Sequence, residues 1–167
     1  MAKVQEPRDL LEEKLTEMLY VERKLADEIL PKLQEEISNA EFQRGITKHL
    51  EETRRHATNV ERVLGMLGME AKEGKCPTLD GMETEHKKGV KDIDADMPEL
   101  IDLFDAGAAA ATEHYEIASY NGLIEMVDAM GEGQAASLLR ENLEQEQKAL
   151  REVEQVSQRL TRELVAV

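Results

Sequence analysis

The 167-residue chain has no tryptophan, three tyrosines, two phenylalanines, four prolines, ten glycines and a single cysteine, Cys76. One cysteine excludes an internal disulfide framework and a thiolate-built metal cage. No sustained alternation of β-branched residues marks a strand. No run of about 18 apolar residues is present, so no membrane span or membrane partner is expected. The first residues, MAKVQEPRDLLEEKL, are charged from the start and lack the apolar core of a secretory leader. No basic face offsets the 36 acidic side chains. With 21 lysines and arginines the net charge is −15, which argues against direct nucleic-acid binding. These absences predict a cytoplasmic protein.

What remains is rich in Ala, Glu, Leu, Lys and Arg, with 41% apolar residues, enough for a core made of helices. Helical spacing of apolar residues predicts one domain, 1–167, with four long helices at about 8–37, 39–68, 98–130 and 134–163. Residues 69–97 read as a Gly- and Pro-bearing connector with a short helix at about 79–90. Pro31 predicts a kink or a short break in the first helix. Ser38 followed by Glu41 reads as a capping box for the second. Asp96 followed by Pro98 reads as a cap and first-turn proline for the third. The run Ala106-Gly107-Ala108-Ala109-Ala110-Ala111 is small enough to permit close helix approach, and Gly131-Glu132-Gly133 reads as a tight break. Two hairpins joined by one long crossover define, among four-helix bundles, the ferritin-like class.

Several carboxylates lie on or beside the apolar stripes. Glu22 falls among Met18, Leu19, Leu25 and Ala26, and Glu146 between Leu143 and Leu150. A buried ionised carboxylate costs several kcal/mol unless a cation compensates it. Glu113 and Glu116 share a face of the third helix, where two acids repel unless one is protonated or a metal joins them. Glu52 and His56 stand one turn apart on the second helix. His49 reads as a packing residue or an additional donor there, and Glu144 is a rival register to Glu146. Thirty residues separate Glu22 from Glu52, and thirty separate Glu116 from Glu146, as a duplicated hairpin would give. The expected centre holds Glu22, Glu52, His56, Glu113, Glu116 and Glu146. Carboxylates with an imidazole suit two divalent ions, iron first, with manganese or zinc also compatible. The competing reading is that each acid meets a lysine or arginine in a groove.

Tyr20-Val21-Glu22-Arg23-Lys24-Leu25, His49-Leu50-Glu51-Glu52-Thr53, Lys75-Cys76 and Glu113-His114-Tyr115-Glu116-Ile117-Ala118-Ser119-Tyr120 resemble the YciF-type ferritin-like family of small bacterial stress-associated proteins, over about residues 8–160. The resemblance implies a rubrerythrin-like bundle, a homodimer and a dinuclear metal site. Glu22, the Glu113/Glu116 pair and Glu146 are similar to the first-, third- and fourth-helix ligands of rubrerythrin-like proteins. The chain departs from their Glu-x-x-His pattern: Thr53 stands three before His56, and Ala149 three after Glu146. With Glu52 and Glu146 as bridges, the implied function is a di-iron oxidase or peroxidase served by a separate electron donor. The alternative is a helical dimerisation or interaction protein without turnover. Tyr20 and Tyr115 stand near the predicted ligands, and Cys76 stands at the start of the short helix, where a lowered thiol pKa would allow redox chemistry.

Overall fold

The computed structural model describes residues 4–166. The helices are α1 (Pro7–Lys24), a π-helical turn (Leu25–Ile29), α2 (Leu30–Glu36), α3 (Ala40–Met66), α4 (Pro77–Lys91), α5 (Pro98–Ala129) and α6 (Gly133–Val165). The first of the four long rods is α1, the π turn and α2 in series. The others are α3, α5 and α6, and α4 is the short connector helix. No strand occurs among the described residues.

The rod ends follow from local chemistry. α3 is closed off just past its end by Gly68, whose φ of +68° suits glycine, with Met69 N–H returning to Leu64 O at 2.8 Å. Gly131, at φ +79°, does the same after α5, with Glu132 N–H on Val127 O. The α-helical pattern is interrupted just before Pro31. Pro31 sits in the first turn of α2, and the π turn before it changes the hydrogen-bond register, Leu30 N–H reaching Leu25 O. A proline has no N–H and crowds the carbonyl four residues back, and the widened turn accommodates both. Two expectations need correction. The cap of α3 is Asn39, not Ser38. Its side chain accepts from Glu41 and Phe42 N–H, while the N–H groups of Ser38 and Asn39 go to the buried carboxylate of Asp102 at 2.9 and 2.7 Å. The residue before α5 is Met97 rather than Asp96, and its side chain makes no cap bond.

Asp102 brings the start of α5 to the start of α3, so these two rods run parallel. Arg159 reaches Glu41 at 2.7 Å and Lys48 reaches Glu152 at 3.0 Å, so α6 runs antiparallel to α3. The chain must therefore travel the length of the bundle between α3 and α5, as the ferritin-like connectivity requires. That crossover is lashed down. Lys24 holds Asp80 and Glu83 of α4 at 2.5 and 2.9 Å, and Tyr20 donates to Asp80 at 2.7 Å. Arg23 holds Glu73 at 2.5 Å. Gly74 N–H donates to Thr16 O at 2.8 Å, and a Cβ on Gly74 would meet the backbone of Glu17 and Thr16 at 2.9 Å. Gly74→Ala is therefore expected to cost about 2 kcal/mol, since backbone cannot give way as a flexible side chain can. Calorimetry should show Tm lowered by roughly 4–8 °C.

Each rod buries one stripe, and each stripe changes chemistry near its middle. On α5 it runs Asp102, Asp105, Glu113, Glu116, then Tyr120, Leu123 and Val127. On α3 apolar residues enclose His49, Thr53 and His56. On α6 Leu139 and Val153 lie beyond Asn142 and Glu146. A polar layer thus lies between two apolar halves of one core.

Candidate metal centre

Glu22, His56, Glu116 and Glu146 are each no more than 1% exposed, and His49 and Glu113 are 6% exposed. They come from α1, α3, α5 and α6. Their donor atoms form two groups, His49 with Glu113, Glu116 and Glu146, and Glu22 with His56 and Glu146, in which one donor atom from each member lies within 4.8 Å of the others. Glu146 belongs to both. His56 Nδ1 stands 2.7 Å from Glu146 Oε1 and 3.6 Å from Glu22 Oε2. His49 Nε2 stands 3.2 Å from Glu113 Oε1 and 3.7 Å from Glu146 Oε2.

Of the residues expected at the centre, the structure brings together Glu22, His56, Glu113, Glu116 and Glu146. It does not bring in Glu52, and it adds His49. Seven residues of α-helix return to nearly the same angle, about 20° short of two full turns, so His49 and His56 share one face. Thr53 lies between them, fully buried, with its hydroxyl on His49 O at 2.9 Å. Glu52 is turned to the rim, 22% exposed, between Lys48 at 3.7 Å and His49 Nδ1 at 3.9 Å. It stands behind the His49 ring, on the side where a carboxylate orients a ligating imidazole. Glu144 is exposed, so the fourth-helix register is that of Glu146. Among the described residues no arginine or lysine closes on the buried carboxylates of the cluster. The cationic partners within 4 Å of Glu22, Glu113 and Glu146 are the two histidines.

A hydrogen-bond chain braces the centre across the bundle. Tyr120 donates to Glu22 Oε1. Asn142 Nδ2 donates to the Tyr120 hydroxyl at 2.9 Å, and Asn59 Nδ2 donates to Asn142 Oδ1 at 2.8 Å. His56 Nε2 bonds Gln145 Oε1 at 3.0 Å, which aims Nδ1 at the carboxylates. Tyr20 and Tyr115 take no part. Tyr20 holds Asp80, and Tyr115 is occupied by Cys76 and Glu17 at 3.1 and 3.3 Å. The buried Cys76 caps α4, accepting from Leu79 N–H. Tyr120 lies four residues beyond Glu116 on the same stripe, a spacing that could have marked it. Replacing it by Phe leaves Glu22 Oε1 without its donor, and Tyr120→Phe is expected to cost about 1–3 kcal/mol in urea unfolding.

The electrostatics record crowding. Burial pushes Glu113 and Glu116 well above the usual carboxylate range, and Glu146 adds to the rise in both. Burial also raises Glu22. Burial works to lower both histidines, but the surrounding carboxylates outweigh it, holding His49 at about 9 and His56 at about 11. Burial alone would raise Glu146, yet its contacts with His56 and His49 bring it below the ordinary value. Glu22 Oε2, Glu113 Oε2, both oxygens of Glu116 and of Glu146, and the Nδ1 atoms of both histidines make no aligned hydrogen bond. Buried polar atoms are ordinarily paired. All of these but His49 Nδ1, which faces Glu52, belong to side chains that converge on the cluster, and such a set of carboxylates and imidazoles fits divalent metal; two such ions would balance four ionised carboxylates.

Fold and centre together define a ferritin-like helical bundle whose polar layer is a carboxylate–histidine cluster able to hold metal. The chain belongs to the family described as domain of unknown function DUF892, whose profile matches residues 6–166. It is 31% identical over 128 residues to protein YciF of Escherichia coli K12, covering 76% of each chain. The crystal structure of the E. coli stress protein YciF superposes with a TM-score of 0.87 at 27% identity, over 95% of this chain and 99% of that one. YcfI of Rhodopseudomonas palustris also gives 0.87, at 30% identity over 92% and 96%. A Xanthomonas campestris protein at 21% identity and TM-score 0.76 shares the fold.

Proposed function

We propose that the protein is a dinuclear metalloprotein that uses two ferrous ions to reduce dioxygen or peroxide during stress. The observation that carries this reading is Glu146: it belongs to both donor groups and so ties two sites into one unit. His49, Glu113 and Glu116 would hold one ion with Glu146, and Glu22 and His56 the other. Two adjacent iron ions supply two electrons together, so an oxidant is reduced without release of a one-electron radical.

The chain's own residues do the rest. Four rods fix the donors, and the apolar core on either side of the layer encloses Glu22, His56 and Glu146, which are fully buried. Tyr120 and Asn142 hold Glu22, and Gln145 holds His56. Support also comes from membership of a family that includes an E. coli stress protein. The test is anaerobic ferrous loading followed by measured uptake of dioxygen or hydrogen peroxide. One oxidant consumed per two irons supports the reading, and iron oxidation at the rate of free ferrous ion contradicts it.

A second reading rests on the charge pattern. With Glu113 and Glu116 protonated and both histidines charged, the layer is neutral without metal. Such a bundle can serve as a dimerising scaffold, in line with the provisional structural assignment of the Rhodopseudomonas relative. A protein that remains dimeric in light scattering and stays inactive after iron loading would be this scaffold.

A further inference from the structure

A cavity of about 880 Å³ opens between α2, α4 and α5 and runs inward to His49, Glu113 and Glu116. Its body is apolar, with Leu25, Leu30, Leu33, Leu79, Met82 and Phe104 in the lining. The charged residues Lys32, Glu36, Glu85 and Lys91, which also line it, are exposed, so their charge sits at the mouth. On α5 the wall is Gly107, Ala108, Ala109 and Thr112. The sequence suggested that small residues here admit a neighbouring rod; instead they leave space, and a Cβ on Gly107 would meet nothing within 4 Å. The outer wall is fixed in place. His86 of α4 meets Asp105 of α5 at 2.7 Å, Lys24 holds Glu83 of α4 at 2.9 Å, and Phe104 packs on Gly89.

A second cavity, of about 150 Å³, is lined by α3, α5 and α6 and also reaches His49 and Glu113. Neither cavity is lined by Glu22, His56 or Glu146, which are fully buried. The centre is therefore approached from its His49–Glu113 side. Size separates what the two cavities can carry. A water molecule takes about 30 Å³ of the liquid, and dioxygen and hydrogen peroxide are little larger. Either fits the small cavity and would leave the large one nearly empty. A space of several hundred Å³ with apolar walls instead fits a small organic molecule.

We propose that the peroxide this centre reduces is an organic hydroperoxide, with its alkyl or aryl body in the larger cavity and its O–O bond at the His49–Glu113 end. The proposal rests on the dinuclear reading and names the substrate class of that centre. In the reaction the O–O bond breaks, two ferrous ions give up one electron each, and two protons come from solvent. One alcohol and one water leave, and two ferric ions remain. The apolar wall holds the body of the substrate, which hydrogen peroxide lacks, so it raises the local concentration of the organic peroxide alone.

The experiment has two arms on the full chain. The first is calorimetric titration of the metal-free protein with 2-phenyl-2-propanol, the alcohol that cumene hydroperoxide yields. One molecule per chain is expected. The second follows oxidation of anaerobically loaded ferrous protein by cumene hydroperoxide and by hydrogen peroxide. The organic peroxide is expected to react at least tenfold faster at equal concentration. Ala108→Phe fills the larger cavity and is expected to weaken alcohol binding and slow cumene hydroperoxide at least tenfold. It should leave metal content unchanged and hydrogen peroxide within about twofold, since the smaller cavity stays open. Ala108→Leu, a smaller plug, should give a smaller loss of the same kind and serves if the Phe variant does not fold. Hydrogen peroxide reacting as fast as cumene hydroperoxide in the wild type would overturn the proposal alone. So would no alcohol bound by the folded wild-type chain, equal slowing of both peroxides by the plug, or a dimer that dissociates in the plugged variant while the cumene hydroperoxide rate stays unchanged. Neither peroxide oxidising the bound iron, with the alcohol still seated in the metal-free cavity, would bring down the dinuclear reading and the reduction with it.

Discussion

Glu146→Ala is expected to lower divalent-metal affinity about 100-fold or more, beyond the loss ordinarily seen when a supporting group is removed. The reason is geometric. Glu146 contributes to both donor groups, whereas Glu22 and His56 serve one, and His49, Glu113 and Glu116 the other. Its removal also leaves a buried His56 facing only Glu22 at 3.6 Å. Competition against a chromophoric chelator measures the loss. Glu144→Ala, two residues away and exposed, should leave affinity unchanged. Glu52→Ala should have a smaller effect, on the order of tenfold, because that carboxylate stands behind His49 rather than within the cluster.

Metal loading near neutral pH is expected to release at least two protons per two ions, one from each histidine, with any proton held on Glu113 or Glu116 in addition, because ligands must be deprotonated to bind. Glu113 and Glu116 are pushed well above the carboxylate range by burial, and His49 and His56 are held at about 9 and 11. All four groups thus bind protons more tightly in the folded metal-free chain than in the unfolded one. Their contribution to folding falls as pH rises: for the histidines it is complete below about 6.5 and is lost through about 9 and 11. Affinity for metal changes in the opposite sense and rises over the same range. At a free metal concentration 100-fold above Kd the gain in folding free energy is about 2.7 kcal/mol, or roughly 5–10 °C in Tm. That gain should shrink as pH falls below about 6 and widen toward 9. Calorimetry in buffers of different ionisation enthalpy counts the protons, and melting with and without metal across pH checks the sign. No proton release, or affinity that rises toward acid, would contradict the charge pattern.

The bundle was legible because its signals are local and repeated: apolar residues at helical spacing, glycines that end α3 and α5, and a composition change across 69–97. Glu22, Glu113, Glu116 and Glu146 were legible for the same reason, as acids on apolar stripes. The equal spacing that singled out Glu52 misled, because spacing along the chain does not fix rotation about the helix. Thr53 occupies the inward angle between His49 and His56 and turns Glu52 to the rim. Asn39 outcompeted Ser38 as cap because Asp102, 64 residues after Ser38, takes the Ser38 N–H, and no local pattern carries that information. The pairing of Asp105 on α5 with His86 on α4, at 2.7 Å, is likewise a product of packing between elements. Tyr120 belongs to the string that resembles the family but stands four residues from Glu116, while Tyr20 and Tyr115, nearer the ligands in sequence, point to the crossover.

The central claim is that acids and imidazoles from four helices hold two cations around a shared Glu146. Anomalous diffraction from crystals loaded with ferrous or manganous ion tests it most directly. Two peaks per chain are predicted, one among His49, Glu113, Glu116 and Glu146, the other among Glu22, His56 and Glu146. Peaks confined to exposed surface acids, or none within the bundle after loading, would contradict the account.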